Sequence, residues 1–357
     1  VAPGDRVAYC LELGAYAEYA AVPAWKLVKV PDAMPFDIAA TLQLQGATAH
    51  YLSHSLFPLQ EGHTCLIHAG AGGLGTMLIQ LAKQRGAVVL TTVGPYAKYG
   101  SELVRACAEH GTHYCDLAGE AQWIRAMIDQ HQPLAERTGA RIVNCCGFDS
   151  IPSDLGVQFL QEEAQARSGA PCDEISLVVR AMKGGASGGT IASMLTALEQ
   201  ASDDRNIRRI LADPYSLNPA DRRSGNDRRD QTSVQFDHLA EIWTAPFVMA
   251  AINTRVVRRT NALLDYAYGK DFVYRESTAT GDGATGWLKG AAMTAGLGGF
   301  VLASSSGFLR ENLVKRFLPK PGEGPDLQER ENGYFNMQLF GKLADGSVIR
   351  ARVTGDR

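Results

Sequence analysis

Strand-like and helix-like segments alternate without a break from residue 63 to residue 202 of this 357-residue chain. Short apolar runs such as HTCLIHAG (63–70) and ARIVNCCG (140–147) read as buried strands, and a helical pattern follows each of them. Parallel strands need crossover connections, which are usually helices, so this alternation is typical of a parallel sheet. We therefore predict an α/β fold whose centre is a doubly wound, mostly parallel sheet.

The two ends of the chain have a different pattern. Residues 1–60 contain short strand-like pieces punctuated by proline and then one helical segment. After residue 203 the alternation loosens, the polar stretch 218–233 is predicted to be an exposed loop, and residues 334–354 predict a β-hairpin around ADG. We expect three domains, at 1–60, 61–170 and 171–357, the last of them an α+β region.

Composition excludes several classes of function. The net charge of −3 and the absence of a Lys/Arg tract give no basis for nucleic-acid binding. Seven cysteines without a CxxC spacing indicate reduced thiols in a cytoplasmic protein, and no metal site is predicted. The uncharged run Gly290–Leu309 is predicted to be a buried or interfacial helix, which also allows peripheral membrane contact.

A glycine-rich turn follows the first buried strand. HAGAGGLG places glycine at 70, 72 and 75 and opens a helical pattern, so the turn comprises Gly70, Ala71, Gly72, Gly73, Leu74 and Gly75. Glycines at these three positions permit a tight turn, close approach of a pyrophosphate and close packing of the helix on the strand. The free N–H groups at the helix start suit phosphate oxygens. We predict a dinucleotide site here, and a tight turn without a ligand is the alternative.

The second strand of the unit favours one cofactor over the other. Dinucleotide folds that prefer NADH place an acidic residue at the end of this strand, about 20 residues after the turn. The segment LTTVGPYAK (90–98) has no acid there but offers Thr91, Thr92 and Lys98. Hydroxyl groups and a cation suit a 2′-phosphate, so we predict NADPH rather than NADH. Lys98 as an ordinary surface lysine is the alternative.

Residues 1–93 resemble the zeta-crystallin-like quinone oxidoreductase branch of the medium-chain dehydrogenase/reductase family. The motifs are PGDRVAY, GAYAEYAAVPA, LQGATAHYL and HAGAGGLGTMLIQLAKQRGA. The resemblance implies a partial GroES-like domain, a Rossmann-like domain and zinc-free, NADPH-dependent reduction of quinones or conjugated enones. It also implies that Gln45, Gly46 and Thr48 lie near the nicotinamide, and that the chain begins inside a longer pattern.

Residues 88–357 are similar to saccharopine-dehydrogenase-like oxidoreductases, in particular the trans-acting enoyl reductase subgroup. The motifs are VVLTTVGPYAKYGSELVRACAEHGTHYCDLAGE, CCGFDSIPSDLG, MKGGASGGT, WTAPFVMAAINTRVVRR and FLPKPGEGP. Together the two resemblances imply a fusion joined within 87–94. In the second family VGPY is a loop near the cofactor, so Gly94, Pro95 and Tyr96 are predicted to form part of a nicotinamide wall.

Polar residues at predicted strand ends are the candidates for catalysis, because ligands bind at the carboxyl edge of a parallel sheet. Asp149 and Ser150 follow strand 140–146, and Ser153 or Asp154 is predicted to cap the next helix. Asp116 and Glu120 follow another strand. Proton-donor candidates are Tyr96, Tyr99 and Lys183, of which Lys183 begins a second glycine-rich turn that could hold an anion.

The residues and both resemblances favour an NADPH-dependent oxidoreductase that reduces a conjugated C=C bond, in an enoyl lipid or thioester or in a quinone or enone. The expected partner is a small-molecule or lipid-linked substrate, and a homodimer is compatible with the sequence. The alternative is a catalytically inactive fusion or fragment, acting at most as a lipid-surface or interaction protein.

Overall fold

The computed structural model of the chain describes residues 1–12, 17–67, 73–90, 96–109, 111, 113–185, 188–227, 229–310, 318–319 and 323–355. By the distribution of internal contacts the chain divides into two compact units, Val1–Val93 and Gly94–Arg357. The sequence boundaries expected at residues 60 and 170 stay predictions.

The first unit begins with a small antiparallel pair and continues through a helical segment to a strand–helix–strand motif. Its elements are β1 (Val7–Ala8), β2 (Val28–Lys29), α1 (Phe36–Thr41), α2 (Ala47–His50), β3 (Thr64–Leu66), α3 (Gly73–Gln84) and β4 (Val88–Leu90). Two π-helical turns, Leu42–Gly46 and Tyr51–Leu56, flank α2. The helix that the sequence predicts in this part of the chain is therefore present, although wider turns interrupt it.

Strands β3 and β4 are parallel neighbours, with Thr64 opposite Val88 and Leu66 opposite Leu90. The connecting helix α3 ends just before Gly86, whose φ of +70° is a conformation that glycine adopts without strain. Leu59, Ala82 and Ala87 pack together beneath this motif. The predicted order of strand, helix and strand on either side of the glycine turn is confirmed, while residues 68–72 lie outside the described residues.

The second unit begins with a further set of alternating helices and parallel strands. These elements are α4 (Tyr96–Tyr99), α5 (Ser101–Glu109), β5 (Tyr114–Cys115), α6 (Ala121–Thr138), β6 (Ile142–Val143) and α7 (Ile151–Ser168). β5 and β6 pair in parallel, with Tyr114 opposite Ile142. The α/β class predicted from the alternation is confirmed.

A six-stranded mixed sheet forms the rest of the second unit. Its strands are β7 (Glu174–Lys183), β8 (Gln235–Asp237), β9 (Ile242–Pro246), β10 (Val273–Gly281), β11 (Tyr334–Lys342) and β12 (Val348–Gly355). The spatial order is β12-β11-β7-β10-β9-β8, and only β7 and β10 run parallel to each other. The predicted hairpin around ADG is β11–β12.

Six further α-helices belong to this part of the chain in the described residues. They are α8 (Gly188–Asp203), α9 (Arg205–Ala212), α10 (Ala250–Leu263), α11 (Gly283–Ser305), α12 (Gly307–Leu309) and α13 (Leu327–Glu331). Helices α7 and α10 contribute Val157, Leu160 and Val257 to the main core, where these side chains meet Leu177 and Leu339 of the sheet. Burial of apolar side chains on this one face fixes α7 against the sheet.

Strand β7 departs from the prediction in its partners. The alternation from 63 to 202 places it in a parallel sheet with its predecessors, but its neighbours are β10 and the β11–β12 hairpin. Residues 175–179 of β7 are all buried, which is a pattern shared by central strands of parallel and mixed sheets. Local sequence cannot distinguish a strand of a parallel sheet from one of a mixed sheet, because the partner β11 lies about 150 residues further along the chain.

The loop 218–233 is not the wholly exposed segment that its composition predicts. The Asp227 carboxylate is fully buried and lies 2.8 Å from Nε of the buried Arg258. Asp230 accepts a hydrogen bond from Arg255 at 2.9 Å. Two arginines of α10 therefore anchor the loop, which corrects the prediction because buried charges need partners.

Helix α11 offers a matched pair of glycines for a stability test. A Cβ at Gly286 would lie 2.2 Å from the Gly281 carbonyl oxygen, whereas a Cβ at Gly296 meets no atom within 4 Å. We expect Gly286→Ala to destabilise the protein by roughly 1–3 kcal/mol through overpacking. Gly296→Ala should stabilise it by roughly 0.5–1 kcal/mol, because alanine is the better helix former. Chemical denaturation measures both, and equal effects would contradict this packing.

Candidate functional site

The carboxyl edge of the β5–β6 pair brings together polar residues that are far apart in sequence. Asp116 comes directly after β5, and Asn144 comes directly after β6. The Asn144 amide donates a hydrogen bond to Asp116 Oδ2 at 2.6 Å. This is the position at which open α/β sheets bind ligands.

Asp116 is the centre of a buried hydrogen-bonded cluster. It is 1% exposed. Its Oδ2 also accepts from Tyr114 Oη at 2.8 Å, and its Oδ1 accepts from the backbone N–H groups of Ala118 at 3.0 Å and Cys145 at 3.1 Å. The carboxylate thereby joins the chain segments that leave both strands. We call these four residues together with Asn144 the Asp116 cluster.

The cluster holds Cys145 in a strained backbone conformation. Its φ is +61°, which non-glycine residues rarely adopt and which costs about 1–3 kcal/mol. The N–H bond to Asp116 and a contact of 3.0 Å from Sγ to the Ala118 carbonyl oxygen maintain it. Burial, followed by the Asp116 charge, raises the pKa of the Cys145 thiol, so this sulfur is a neutral packing group rather than a nucleophile.

Tyr96 is fixed at the start of α4 beside the same edge. The backbone N–H groups of Tyr96 and Ala97 donate to the buried carboxylate of Glu120 at 3.0 and 2.6 Å. Tyr96 Oη accepts from the Leu117 N–H at 3.4 Å, and burial raises the pKa of the phenol. Tyr96 therefore stays protonated near neutral pH, while the Glu120 carboxylate binds the N–H groups at the start of α4.

Ser150 belongs to a second buried network, although Asp149 beside it is exposed. Ser150 Oγ donates to Asn253 Oδ1 at 2.9 Å, and Asn253 Nδ2 donates to Glu276 Oε2 at 3.0 Å. The Glu276 carboxyl also accepts from Tyr274 Oη at 2.7 Å. We call Ser150, Asn253, Tyr274 and Glu276 the Glu276 network; it ties the 147–150 turn to strand β10.

Burial dominates the chemistry of the Glu276 network. It raises the pKa of Glu276 to about 7, even though hydrogen bonds from Tyr274, Ser153 and Asn253 oppose the shift. Ser150 is the N-cap residue of α7, yet its side chain makes no capping bond. Ser153 and Asp154 lie inside the first turn of α7, so the predicted capping by either residue is wrong because the helix starts three residues earlier.

Lys183 lies at the exposed end of β7 and contributes no hydrogen bond to either cluster among the described residues. Its strand end is connected to the 147–150 turn through aromatic packing. The Phe148 and Phe335 rings meet edge to face at 4.7 Å, and Phe335 pairs with Met182 in the sheet. The structure therefore brings Tyr96 close to the Asp116 cluster but leaves the catalytic roles of Tyr96, Asp149, Ser150 and Lys183 as predictions.

Only part of the predicted cofactor site belongs to the described residues. Gly73, Leu74 and Gly75 begin α3, and Gly75 is buried. Six other predicted positions lie outside the described backbone or side chains: Gly70, Ala71, Gly72, Thr92, Gly94 and Pro95. The Lys98 side chain is likewise outside them.

Gln45 and Thr48 lie on the helical segment that packs on α3. Gln45 is half-buried in the π-helical turn before α2, and Thr48 Oγ1 donates to the Leu44 carbonyl oxygen at 2.7 Å. A Cβ at Gly46 would lie 3.7 Å from the Met77 sulfur, one turn after the start of α3. Gln45 and Thr48 thus belong to the same unit as the glycine turn. Turns of π-helix such as the one that contains Gln45 often occur at functional sites.

The described ranges contain no group of three His, Cys, Asp or Glu side chains placed to hold a metal ion. Zinc-free chemistry stays a prediction.

Sequence reasoning missed Asn144, Asn253 and Glu276 as site residues. Asn144 could have been found, because it directly follows a predicted strand, whereas nothing local distinguishes Asn253 or Glu276.

Comparison with known proteins gives relatives over most of the chain. A Mycobacterium tuberculosis protein named for the trans-acting enoyl reductases is 43% identical over 288 residues, covering 78% of this chain and 68% of the relative. The trans-acting enoyl reductase of Mycobacterium bovis is 38% identical over 292 residues, covering 77% of this chain and 68% of the relative. A search against protein-family models gives no match.

Solved structures give a weaker likeness. The quinone oxidoreductase of Escherichia coli in complex with NADPH is 27% identical and covers 47% of this chain and 40% of its own, at a TM-score of 0.25. That of Thermus thermophilus is 24% identical and covers 40% of this chain and 57% of its own, at a TM-score of 0.31. Scores this low carry no argument about fold or activity. The sequence identity to the mycobacterial proteins, which extends over about two thirds of their length, does show the family. The chain belongs to the trans-acting enoyl reductase family.

Proposed function

We propose that this chain catalyses NADPH-dependent reduction of a conjugated C=C bond, with an enoyl thioester or enoyl lipid as the substrate class and a quinone or enone as the less favoured one. Identity of 43% to a member of the trans-acting enoyl reductases carries this proposal. The Asp116 cluster supports it, because it provides a fixed polar edge next to a protonated tyrosine where α/β enzymes bind their ligands.

The described residues of the first unit fit a dinucleotide. β3 and β4 are parallel, and α3 begins at Gly73 directly after the segment that carries the glycine turn. The backbone N–H groups at the start of α3, from Gly73 to Gly75, would hold the pyrophosphate. NADPH would supply the hydride for the β-carbon of the substrate.

The chain itself must then hold the substrate carbonyl and provide a proton. Tyr96 is our first candidate donor, because burial keeps its hydroxyl protonated at neutral pH. Asp149 and Ser150 occupy the turn that precedes α7, and the Glu276 network holds this turn in one conformation. We assign Ser150 a positioning role and Asp149, which is exposed, a substrate-contacting role. Lys183 stays an alternative donor.

Thr92 and Lys98 are proposed to select NADPH over NADH by contacting the 2′-phosphate. Lys98→Gln removes one positive charge and should weaken NADPH binding about tenfold or more while leaving NADH binding unchanged. Lys289→Gln, at an exposed lysine on α11, is the matched control. Thermal shift measures this directly, since NADPH at a hundred times its Kd stabilises the folded state by about 2.7 kcal/mol. No shift with either cofactor at millimolar concentration would refute the binding proposal.

We also propose that the chain joins two reductase pieces, with the quinone oxidoreductase-like piece first and the saccharopine-dehydrogenase-like piece second. The boundary between the two compact units falls between Val93 and Gly94, inside the 87–94 junction that the motifs predict. The role of the shared strand stays open, because β4 pairs with β3 in both interpretations. Sequencing of the coding region in its genomic context tests whether the junction is native.

A lipid-surface role is a second candidate, which the exposed face of α11 favours. This helix and α12 contain Gly290–Leu309, and Leu288, Leu302 and Phe308 are 60%, 74% and 75% exposed. A helix with the length and apolar character needed to cross a bilayer does not occur in the described part of the chain. Flotation of the wild-type chain and of Leu302→Lys with liposomes tests peripheral membrane contact. Cytoplasmic localisation and homodimer formation stay predictions.

A further inference from the structure

The face of the mixed sheet away from α7 and α10 carries a small buried cluster and, beside it, a group of arginines that distinguishes this face from the core. Strand residues alternate between faces, so Leu177 and Leu339 point to α7 and α10 while their sequence neighbours point away. On the opposite face lie Arg180 of β7 and, from the β11–β12 hairpin, Gln338, Phe340, Arg350 and Arg352. This face is separate from the Ser150 turn, which belongs to the side covered by α7.

A cavity of about 420 Å3 lies on this opposite face. Its walls are the three arginines Arg180, Arg350 and Arg352, with Ala240 and Glu241 from the turn between β8 and β9. The volume is within the range of sites for small organic ligands and much larger than a single inorganic ion needs. We call it the arginine pocket.

The three guanidinium groups are held in place by the sheet. Arg180 Nε donates to Gln338 Oε1 at 2.9 Å, and Arg352 Nε donates to Asn336 Oδ1 at 3.0 Å. The guanidinium carbons of Arg180 and Arg350 lie 5.7 and 5.5 Å from the centre of the buried Phe340 ring. Use of Nε in this way leaves the Nη atoms of Arg180 and Arg352 without an acceptor in the described part of the chain.

The charges of the pocket are unbalanced. In the described residues no carboxylate forms an ion pair with any of the three arginines, of which Arg180 is half-buried and Arg350 and Arg352 are exposed. Glu241 is the one acidic residue of the lining, which leaves an excess of two positive charges. A phosphate monoester carries close to two negative charges at neutral pH and accepts several hydrogen bonds from guanidinium groups.

We propose that the arginine pocket binds the phosphate monoester of a small organic molecule. Arg350 and Arg352 lie on the same strand two residues apart, and Arg180 enters from β7, so the phosphate would be contacted from two sides. The pocket lies on the sheet face away from the Glu276 network, and the proposal does not depend on the proposed reductase activity.

Calorimetric titration of the whole chain with glycerol 3-phosphate tests the proposal, with glycerol as the uncharged control and saturating NADPH present to occupy any dinucleotide site. We expect binding of glycerol 3-phosphate alone. Arg350→Gln and Arg352→Gln should each weaken it about tenfold or more. Arg167→Gln, at an exposed arginine of α7 paired with Glu163, is the matched control and should have no effect.

The substituted arginines are exposed, so both variants should keep the melting temperature of the wild type. Absence of binding by the wild type would overturn the proposal. Equal affinity of wild type, Arg350→Gln and Arg352→Gln would also overturn it, because the phosphate would then bind elsewhere. Binding of glycerol at the same affinity would show that the phosphate is not what the pocket recognises.

Discussion

Asp116→Ala is expected to lower the free energy of unfolding of the Gly94–Arg357 unit by about 3 kcal/mol or more. The substitution removes the acceptor of four hydrogen bonds, from Tyr114, Asn144, Ala118 and Cys145, at a residue that is 1% exposed. Each buried donor that loses its acceptor costs about 1–3 kcal/mol unless water replaces the carboxylate. Cys145 would also lose the bond that keeps its backbone at positive φ. We expect reductase activity to be lost with this geometry.

Asp345→Ala is the matched control for Asp116→Ala. The Asp345 carboxylate also accepts hydrogen bonds, from the backbone and hydroxyl of Ser347 at 2.8 and 2.6 Å, but it lies in an exposed turn. Water can replace it there, so we expect a loss of no more than about 0.5 kcal/mol. Urea denaturation of both variants measures the difference. Similar losses for the two would contradict the organising role of the Asp116 cluster.

Glu276→Gln is expected to change how stability depends on pH. The native pKa of Glu276 is about 7, above the ordinary value of 4.5. The folded state therefore holds this proton more tightly than the unfolded state, and the free energy of unfolding falls as the pH rises from about 4.5 to about 7. That fall amounts to about 3 kcal/mol and levels off above pH 7, where both states are ionised. Glutamine resembles the protonated acid, so the variant lacks this component.

The stability of Glu276→Gln relative to wild type should therefore rise with pH between 5 and 7, roughly in step with ionisation of the wild-type carboxyl. The negative charge of Asp230 also raises the pKa of Glu276, while hydrogen bonds from Tyr274, Ser153 and Asn253 lower it. Glu163→Gln, at a half-exposed position of α7, is the control and should follow the wild-type curve. A difference between Glu276→Gln and wild type that is constant across this range would show that Glu276 is ionised throughout.

The position of the candidate site was predictable from the sequence, because it depends on local order. Asp116 and the 147–150 turn each follow an apolar run that forms a strand, and strand ends in a parallel pair meet at one edge. The strand–helix–strand order that flanks the glycine turn was predictable for the same reason, since β3, α3 and β4 are consecutive elements. Both predictions needed only periodicity and the position of glycine.

The partners of Ser150 were not predictable in this way. Its hydroxyl binds Asn253, a residue 103 positions away, on a helix that reaches Ser150 only because α7 and α10 pack on the same face of the mixed sheet. Glu276 lies in a strand whose neighbouring residues give no sign of a buried carboxyl. The partners of β7 were missed for the same physical reason, because tertiary packing decides them and not the local pattern.

Transfer of deuterium from NADPH labelled at C4 to an α,β-unsaturated thioester would show directly whether the chain reduces a conjugated C=C bond. Mass spectrometry of the product of the wild-type chain should show one deuterium at the β-carbon, and Asp116→Ala should form no labelled product under the same conditions. An enzyme that binds NADPH yet returns the thioester unreduced and unlabelled would contradict the proposed reduction of a conjugated C=C bond.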